Sequence, residues 1–261
     1  MSKLSADWQL PLYDKKVFFK KKHLYCLGIP IINEGKRFKK QLVKLKKYSN
    51  LIDILIFDGG SSDGSTDEYF LKEMGVRAIL VKKSPGKQGT QLRMGFSYAI
   101  KEGYEGIITI DGNNKDGVDA IPRFLDQLQK GEDFIQGSRY KKGGKSVNTP
   151  HLRHIGNHLI LAPLFSLASG FRFTDVTNGF RAYSKKLLLD PQVKPFRNIF
   201  ISYELIFYLG VRAAQLGYKV SEIPVVRKYP HNTIPTKIKG FSSLWQVFKV
   251  GIQTTLGYYN P

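Results

Sequence analysis

The sequence predicts an α/β fold, a mostly parallel central sheet flanked by helices, with a mixed second half built onto it. Short β-branched runs, LYCLGIPI (24–31), DILIFD (53–58), AILV (78–81) and GIITID (106–111), alternate with stretches of helical spacing. Most of them also end in small polar residues, glycine or proline, the composition of a strand-to-helix turn. Strands that alternate with helices pair in parallel through right-handed crossovers, and ligands then sit outside the carboxyl ends of the strands.

Taken in order, residues 1–23 read as a basic, exposed arm, with Lys15, Lys16, Lys20, Lys21 and Lys22 ahead of the first strand. The first strand ends at Pro30, which stops further ladder pairing, and Asn33 with Glu34 then either caps a helix or faces a ligand. Leu42, Leu45 and Tyr48 mark the helix that follows. The second strand ends at Asp58, followed by GGSSDGSTD. Its glycines allow close approach of a ligand, Asp58 can accept hydrogen bonds from a base or ribose, and Ser65 or Thr66 with Asp67 or Glu68 forms a capping box for a short helix over 69–74. Neither a Walker loop nor a GxGxxG fingerprint is present.

After the third strand, Gly86, Lys87 and Gly89 open a helix carrying Leu92, Arg93, Phe96 and Ile100, either an anion-binding turn or a solvated lysine turn. The fourth strand ends at Asp111, in DGNNKD. Asp-Gly is a turn signal, but Asp111 itself lies where a metal-bound pyrophosphate would sit in such a sheet. Beyond 134 come a strand-like FIQGS, an aromatic region and a strand over 220–226, and no internal repeat is present.

Composition limits the partners. Forty-one Lys and Arg against 21 Asp and Glu give +20, so the partners are expected to be anionic: nucleic acid, a phosphorylated small molecule or an acidic membrane surface. From Ser138 to Thr174 there is no acid, and none follows Glu222. The lone Cys26 forms no intramolecular disulfide, which points to a reducing cytoplasm. No run reaches the length of a membrane span; HLILAPLFSLASGF (158–171) is too short and holds Pro163, though a segment of this kind can lie on a membrane.

The series IPxxNE, DGGSSDGST, GKQG with LRMG, IDGN, GSRY and DVTNGFRAY, in that order over 24–230, resembles the family 2 glycosyltransferases, and among them the polyprenyl-phosphate (dolichyl-phosphate) mannosyltransferase-like branch. The resemblance implies a GT-A fold, a nucleotide-diphosphate sugar donor, Mg²⁺ or Mn²⁺, and inversion at the anomeric carbon. It divides the chain into a nucleotide-sugar-binding half (24–136) and an acceptor-side half (137–261). It implies donor-site roles for Pro30, Asn33, Glu34, Asp58, Lys87, Arg93 and Gly112, the first Asp-X-Asp position for Asp111, and a diphosphate or acceptor-phosphate contact for Arg139. The motif reads Asp111, Gly112, Asn113 here, so metal binding falls to Asp111 and Asn113, with Asp116 as a source of the missing charge or Lys115 and Arg139 neutralising the diphosphate instead.

A hydroxyl acceptor needs a general base, for which Asp175 and Glu204 are the candidates, whereas a phosphate acceptor needs cations. After Thr174 carboxylates are few, and Arg181, Arg227 and Lys237 are assigned to an acceptor phosphate, such as a lipid-linked polyprenyl phosphate. Asp175 with Arg181 as a structural ion pair is the competing assignment. The basic-aromatic segment 229–259, with Trp245 and Phe248, suits peripheral contact with an anionic membrane or a helix packed on the domain. A nucleic-acid-binding protein would explain the charge but has no use for ordered glycine and aspartate strand ends; a nucleotidyltransferase with a similar sheet would need a glycine-rich signature after the first strand, which is missing, and a catalytically silent sugar-nucleotide binder is a further alternative.

Overall fold

The structure, a computed structural model, describes residues 7–230 and 240–261, the side chains of 240–244 excepted. The strands are β1 (Tyr13–Val17), β2 (Tyr25–Ile31), β3 (Asp53–Asp58), β4 (Val76–Lys82), β5 (Gly106–Thr109), β6 (Phe134–Ser138), β7 (Lys145–Val147), β8 (Arg181–Ser184), β9 (Val220–Pro224) and β10 (Val226–Lys228). Eight of them form one sheet in the order β1-β4-β3-β2-β5-β8-β6-β9, and β7 pairs with β10 in a separate parallel ribbon. The run from β4 to β5 is parallel, as the alternation of strands and helices requires, and β6 pairs parallel with β9. β8 enters antiparallel between β5 and β6, which makes the second half mixed.

The helices are α1 (Gly35–Leu45, continued by a 3-10 turn to Tyr48), α2 (Glu68–Glu73), α3 (Gln88–Lys101), α4 (Ile121–Gln129), α5 (His151–Ile155), α6 (Ala162–Ser169), α7 (Lys185–Leu189), α8 (Glu204–Gln215) and α9 (Gly240–Thr255). A π-helical turn, Gly156–Leu161, joins α5 to α6. Each face of the sheet carries its own core, because successive strand residues point to opposite sides. Within β3, Leu55 and Phe57 join the core of α3 and α8, while Ile54 and Ile56 join that of α1 and α4.

Three local expectations are corrected. Residues 13–17 are largely exposed but not a free arm: β1 pairs antiparallel with β4 as an edge strand, its lysines blunting the open edge, and Trp8 packs against Phe196 with ring centroids 4.0 Å apart. Pairing of β2 with β3 continues past Pro30 to Ile31; the proline is tolerated because its missing N–H falls on the β5 side, where the ladder has already ended at Gly28. The cap of α2 is Asp67, whose carboxylate accepts from the Phe70 amide at 2.9 Å, rather than Ser65 or Thr66.

Candidate active site

A cavity of 1110 Å³ opens at the carboxyl ends of β2 and β5, the point where the parallel strand order reverses direction. Buried glutamines hold the strand-end turns around it. Gln41 of α1 donates to the Asp111 carbonyl at 2.9 Å and accepts from the Asn114 amide at 2.8 Å, so one buried amide clamps both ends of the DGNN turn. Gln91 of α3 donates to the carbonyls of Ile31 at 2.6 Å and Phe57 at 2.8 Å and ties two strand ends together. Gly112 is required by close approach: a Cβ there would lie 2.3 Å from Ile31 Cγ2. A side chain at Gly179 would meet Asp111 Oδ1 at 2.6 Å, so the carboxylate rests directly against backbone.

Asp111 faces the cavity with its side chain about one-fifth exposed. Its Oδ2 is 3.0 Å from Arg227 Nη2, and its Oδ1 accepts from Gln88 Nε2 at 3.3 Å. Burial alone would raise this carboxyl, but Arg227, with Lys115 and Gln88, overcomes it and holds it below the usual carboxylate range. The same guanidinium bonds Asp116 through Nη1. Asp116 is wholly buried and its Oδ1 has no partner, so burial raises its carboxyl despite Arg227, and the Asp111 charge adds to the rise. The shared arginine pulls both carboxyls down, but only Asp111 ends below its usual range.

A cationic wall continues from Arg227. The Tyr229 hydroxyl accepts from Arg153 Nη1 at 2.7 Å and from Arg227 Nε at 3.4 Å, and Lys115 Nζ stands 4.8 Å from the Tyr229 ring centroid. Lys115, Arg153 and Arg227 all line the cavity, gathered by one buried tyrosine. Burial, reinforced by Arg227, pushes the Lys115 ammonium down to about 8. The same cavity also has an apolar lining, with Leu152, Ile160, Leu161, Ile206, Phe207 and Phe248. Trp245 and Val247 of α9 complete it, so this helix both packs on the domain and lines the cavity.

The expected site residues divide into two groups. Pro30, Glu34, Lys87, Asp111, Gly112, Asn113 and Arg227 line the cavity. The others among the described residues are held elsewhere by their own partners. Asn33 is no helix cap: at φ +50° it accepts from the Ser62 amide at 2.8 Å and joins the first two strand-end loops. Asp58 is buried and accepts from the Ser61 amide and hydroxyl, so it shapes its loop rather than presenting a free carboxylate to a base. Arg93 donates to the Phe200 carbonyl at 3.1 Å and to that of Gln9, away from the cavity. The anion-binding turn at Lys87 is largely spent as well, since the amides of Lys87 and Thr90 both donate to the Ile201 carbonyl.

Arg139 and Asp175 close on each other, Nε to Oδ2 at 2.7 Å and Nη2 to Oδ1 at 2.8 Å, with side chains 1% and 0% exposed. Asp175 is thus paired with Arg139 rather than Arg181, and neither member lines the cavity. Arg181 is buried and donates to the carbonyls of Asn178, Val176 and Ile206, which leaves no fork for an acceptor phosphate. Glu204 turns back to the Ser202 amide at the start of α8 and does not line the cavity. Asp116 supplies no charge to the cavity, being sealed behind Arg227. Lys237 lies outside the described residues.

A divalent cation at this site would find one carboxylate, Asp111, with Asn113 beside it. The Asn113 amide nitrogen points to Asp111 Oδ2 at 3.5 Å, and its oxygen accepts from the Lys115 amide at 3.2 Å. No group of three or more His, Cys, Asp or Glu side chains among the described residues could hold a metal alone. The donor set fits a hard cation that brings further oxygens on a diphosphate, since such ions are commonly held by one or two carboxylates plus substrate phosphate.

A doubly wound sheet with this cavity at its switch point, walled by cations, defines a GT-A glycosyltransferase. Glucosyl-3-phosphoglycerate synthase from Mycobacterium tuberculosis, solved with Mn²⁺, uridine diphosphate and glucosyl-3-phosphoglycerate, superposes with a TM-score of 0.60 at 15% identity, over 90% of this chain and 79% of that one. The chain belongs to the family "Glycosyl transferase family 2", whose profile matches residues 26–190. It is 26% identical over 206 residues to the polyprenol monophosphomannose synthase of Mycolicibacterium smegmatis, covering 76% of this chain and 74% of the relative. It is 29% identical over 190 residues to the dolichyl-phosphate hexose transferase of Haloferax volcanii, covering 73% and 75%.

Proposed function

We propose that this glycosyltransferase moves a sugar, with inversion, from a nucleotide-diphosphate sugar to a polyprenyl phosphate. The observation that carries the proposal is the combination of chemistries lining one cavity: strand-end turns suited to a nucleotide, the cations Lys115, Arg153 and Arg227, and an apolar wall. The lining carboxylates are Glu34, paired with Arg37 at 3.0 Å, and Asp111, paired with Arg227. Asp175, Glu204 and Glu222 are committed to Arg139, the Ser202 amide and the Thr174 amide respectively. A hydroxyl acceptor needs a base to take its proton, and no uncommitted carboxylate on that side supplies one. A phosphate monoester, with a second pKa near about 6, arrives already ionised and needs only positive charge to position it.

In the reaction an acceptor phosphate oxygen forms the new bond to the anomeric carbon as the bond from that carbon to the donor diphosphate breaks. The nucleoside diphosphate leaves with the bonding electron pair. Asp111 and Asn113 would hold Mg²⁺ or Mn²⁺, which neutralises the leaving diphosphate when bound. Arg227 orients the Asp111 carboxylate and adds positive charge behind it, while Arg153 and Lys115 hold the acceptor phosphate. The apolar wall takes the first isoprene units. The named activities of the relatives, a polyprenol monophosphomannose synthase and a dolichyl-phosphate hexose transferase, support this assignment.

The test has two arms. Thermal shift against UDP, GDP and TDP, each with and without Mn²⁺, should show stabilisation by one nucleotide. Mass spectrometry of undecaprenyl phosphate incubated with the matching sugar nucleotides should then show a hexosyl adduct. Failure of every nucleotide to stabilise the protein would remove the donor site; stabilisation with no adduct on any polyprenyl phosphate would remove the acceptor.

A further inference from the structure

From His151 to Ser169, α5, the π-turn and α6 run as one continuous helical segment. Leu152, Ile155, Leu159, Pro163 and Leu167, at spacings of three and four, share one face of it. That face is open: Leu152 is 71%, Ile155 47%, Leu159 74% and Leu167 85% exposed. The opposite face is fully used, with Asn157, Leu161, Ala162, Phe165 and Ser169 buried against the domain. A row of large aliphatic side chains left in water along a whole helix marks an interaction surface rather than scatter.

The surroundings identify the partner. The segment Ser138–Thr174 contains no acid, and exposed cations flank the row in the sequence, with Lys142 and Lys145 before it and Arg172 after it. A second copy of this chain would bring the same acid-free basic surface against itself across a two-fold axis, so like charges would meet. An anionic bilayer offers the complement to both parts: acyl chains for the leucines and headgroups for the cations. The same helix also borders the active-site cavity: Leu152, at the start of the row, lines it, as do Gly156 and Ile160, one position on from Ile155 and Leu159.

We infer that the Leu152–Leu167 face seats in the interface of an anionic membrane, with this helix as the wall between the bilayer and the cavity. The inference rests on the polyprenyl-phosphate reading and deepens it: the acceptor passes from bilayer to cavity beside the helix without its isoprene chain crossing water. No helix among the described residues is long and apolar enough to span a membrane, so the contact made by this face is interfacial.

Co-sedimentation of the full chain with phosphatidylglycerol/phosphatidylcholine vesicles, against phosphatidylcholine alone, tests the inference without any substrate. The wild type should partition at least about tenfold more strongly to the anionic vesicles, and the double variant Leu159→Glu with Leu167→Glu should lose about tenfold or more of that partition. Neither residue lines the cavity, so transfer to a short, water-soluble polyprenyl phosphate should stay within about twofold of wild type, a surface substitution having little effect on the fold. Unchanged vesicle partition of the variant would overturn the inference, as would light scattering showing that the substitutions convert a dimer to a monomer while vesicle binding persists. Variant-sensitive vesicle binding by a wild type that glycosylates no polyprenyl phosphate would uphold the membrane face and refute the acceptor assignment instead.

Discussion

Two buried arginines separate structure from function in this chain. Arg139 meets a single carboxylate, Asp175, in a closed bidentate pair out of reach of the cavity. Arg227 is shared between Asp111, at the cavity surface, and Asp116, sealed behind it. Asp175 and Asp111 are held ionised below their usual range, whereas burial raises Asp116 in spite of its close contact with Arg227. The difference teaches that a buried arginine with one partner is a fastening, while one that divides itself between the interior and the cavity can both orient a carboxylate and offer charge to a ligand.

The largest expected effect breaks the open knot. Asp111→Ala should lower transfer by about a hundredfold to a thousandfold, the scale of losing a group that positions charge at the reacting centre. The melting temperature should change little, since Arg227 keeps Asp116. Single-turnover kinetics beside a thermal melt would show the split. The closed knot should behave in the opposite way: Arg139→Met strands a buried carboxylate and should cost about 3–5 kcal/mol of stability, read by chemical denaturation. Activity per folded molecule should persist.

Acid should also find the closed knot. Burial opposes ionisation of Asp175, but Arg139 outweighs it and the carboxyl is held low. As pH falls, the unfolded chain takes up this proton first. Stability from the pair is therefore complete above the ordinary aspartate range and is lost as pH falls below it towards the folded-state value. Asp175→Asn should flatten that acid limb of a melting-temperature profile. At the other end of the scale, Lys115 gives up its charge as pH rises through about 8, so KM for an anionic acceptor should climb there while KM for the donor changes less.

Smaller effects sharpen the cationic wall. Arg153→Ala should raise KM for the acceptor about tenfold or more, the value of one hydrogen bond to a charged group, with donor KM unchanged. Asn113→Asp restores a second carboxylate beside Asp111 and should tighten Mn²⁺ binding severalfold in a calorimetric titration with nucleoside diphosphate present.

What was legible in the sequence was local. The alternation of strands and helices, and the turn that presents Asp111, follow from spacing and turn chemistry within a few residues of each other. The partners of the charged groups were not legible, because Asp111 lies far in sequence from Arg227, and Arg139 likewise from Asp175; the bridge between Asp116 and Arg227 and the antiparallel pairing of β6 with β8 bring them together. That is why Arg139, Arg181, Asp175 and Glu204 were expected at the site and are not there. Arg153 had a signal, its place in the acid-free segment, and Lys115 stood in the turn already singled out. Tyr229 had none, since its value lies in the three cations it gathers.

The most direct measurement is kcat/KM for polyprenyl phosphate against the polyprenol of the same chain length, with the same sugar nucleotide. A site built from cations without a base should prefer the phosphate by about 10⁴ or more, the discrimination reached when polar groups built for one ligand are left unpaired by another. Comparable values for the two acceptors would contradict the account, because the free hydroxyl would then be finding a base that this cavity does not supply.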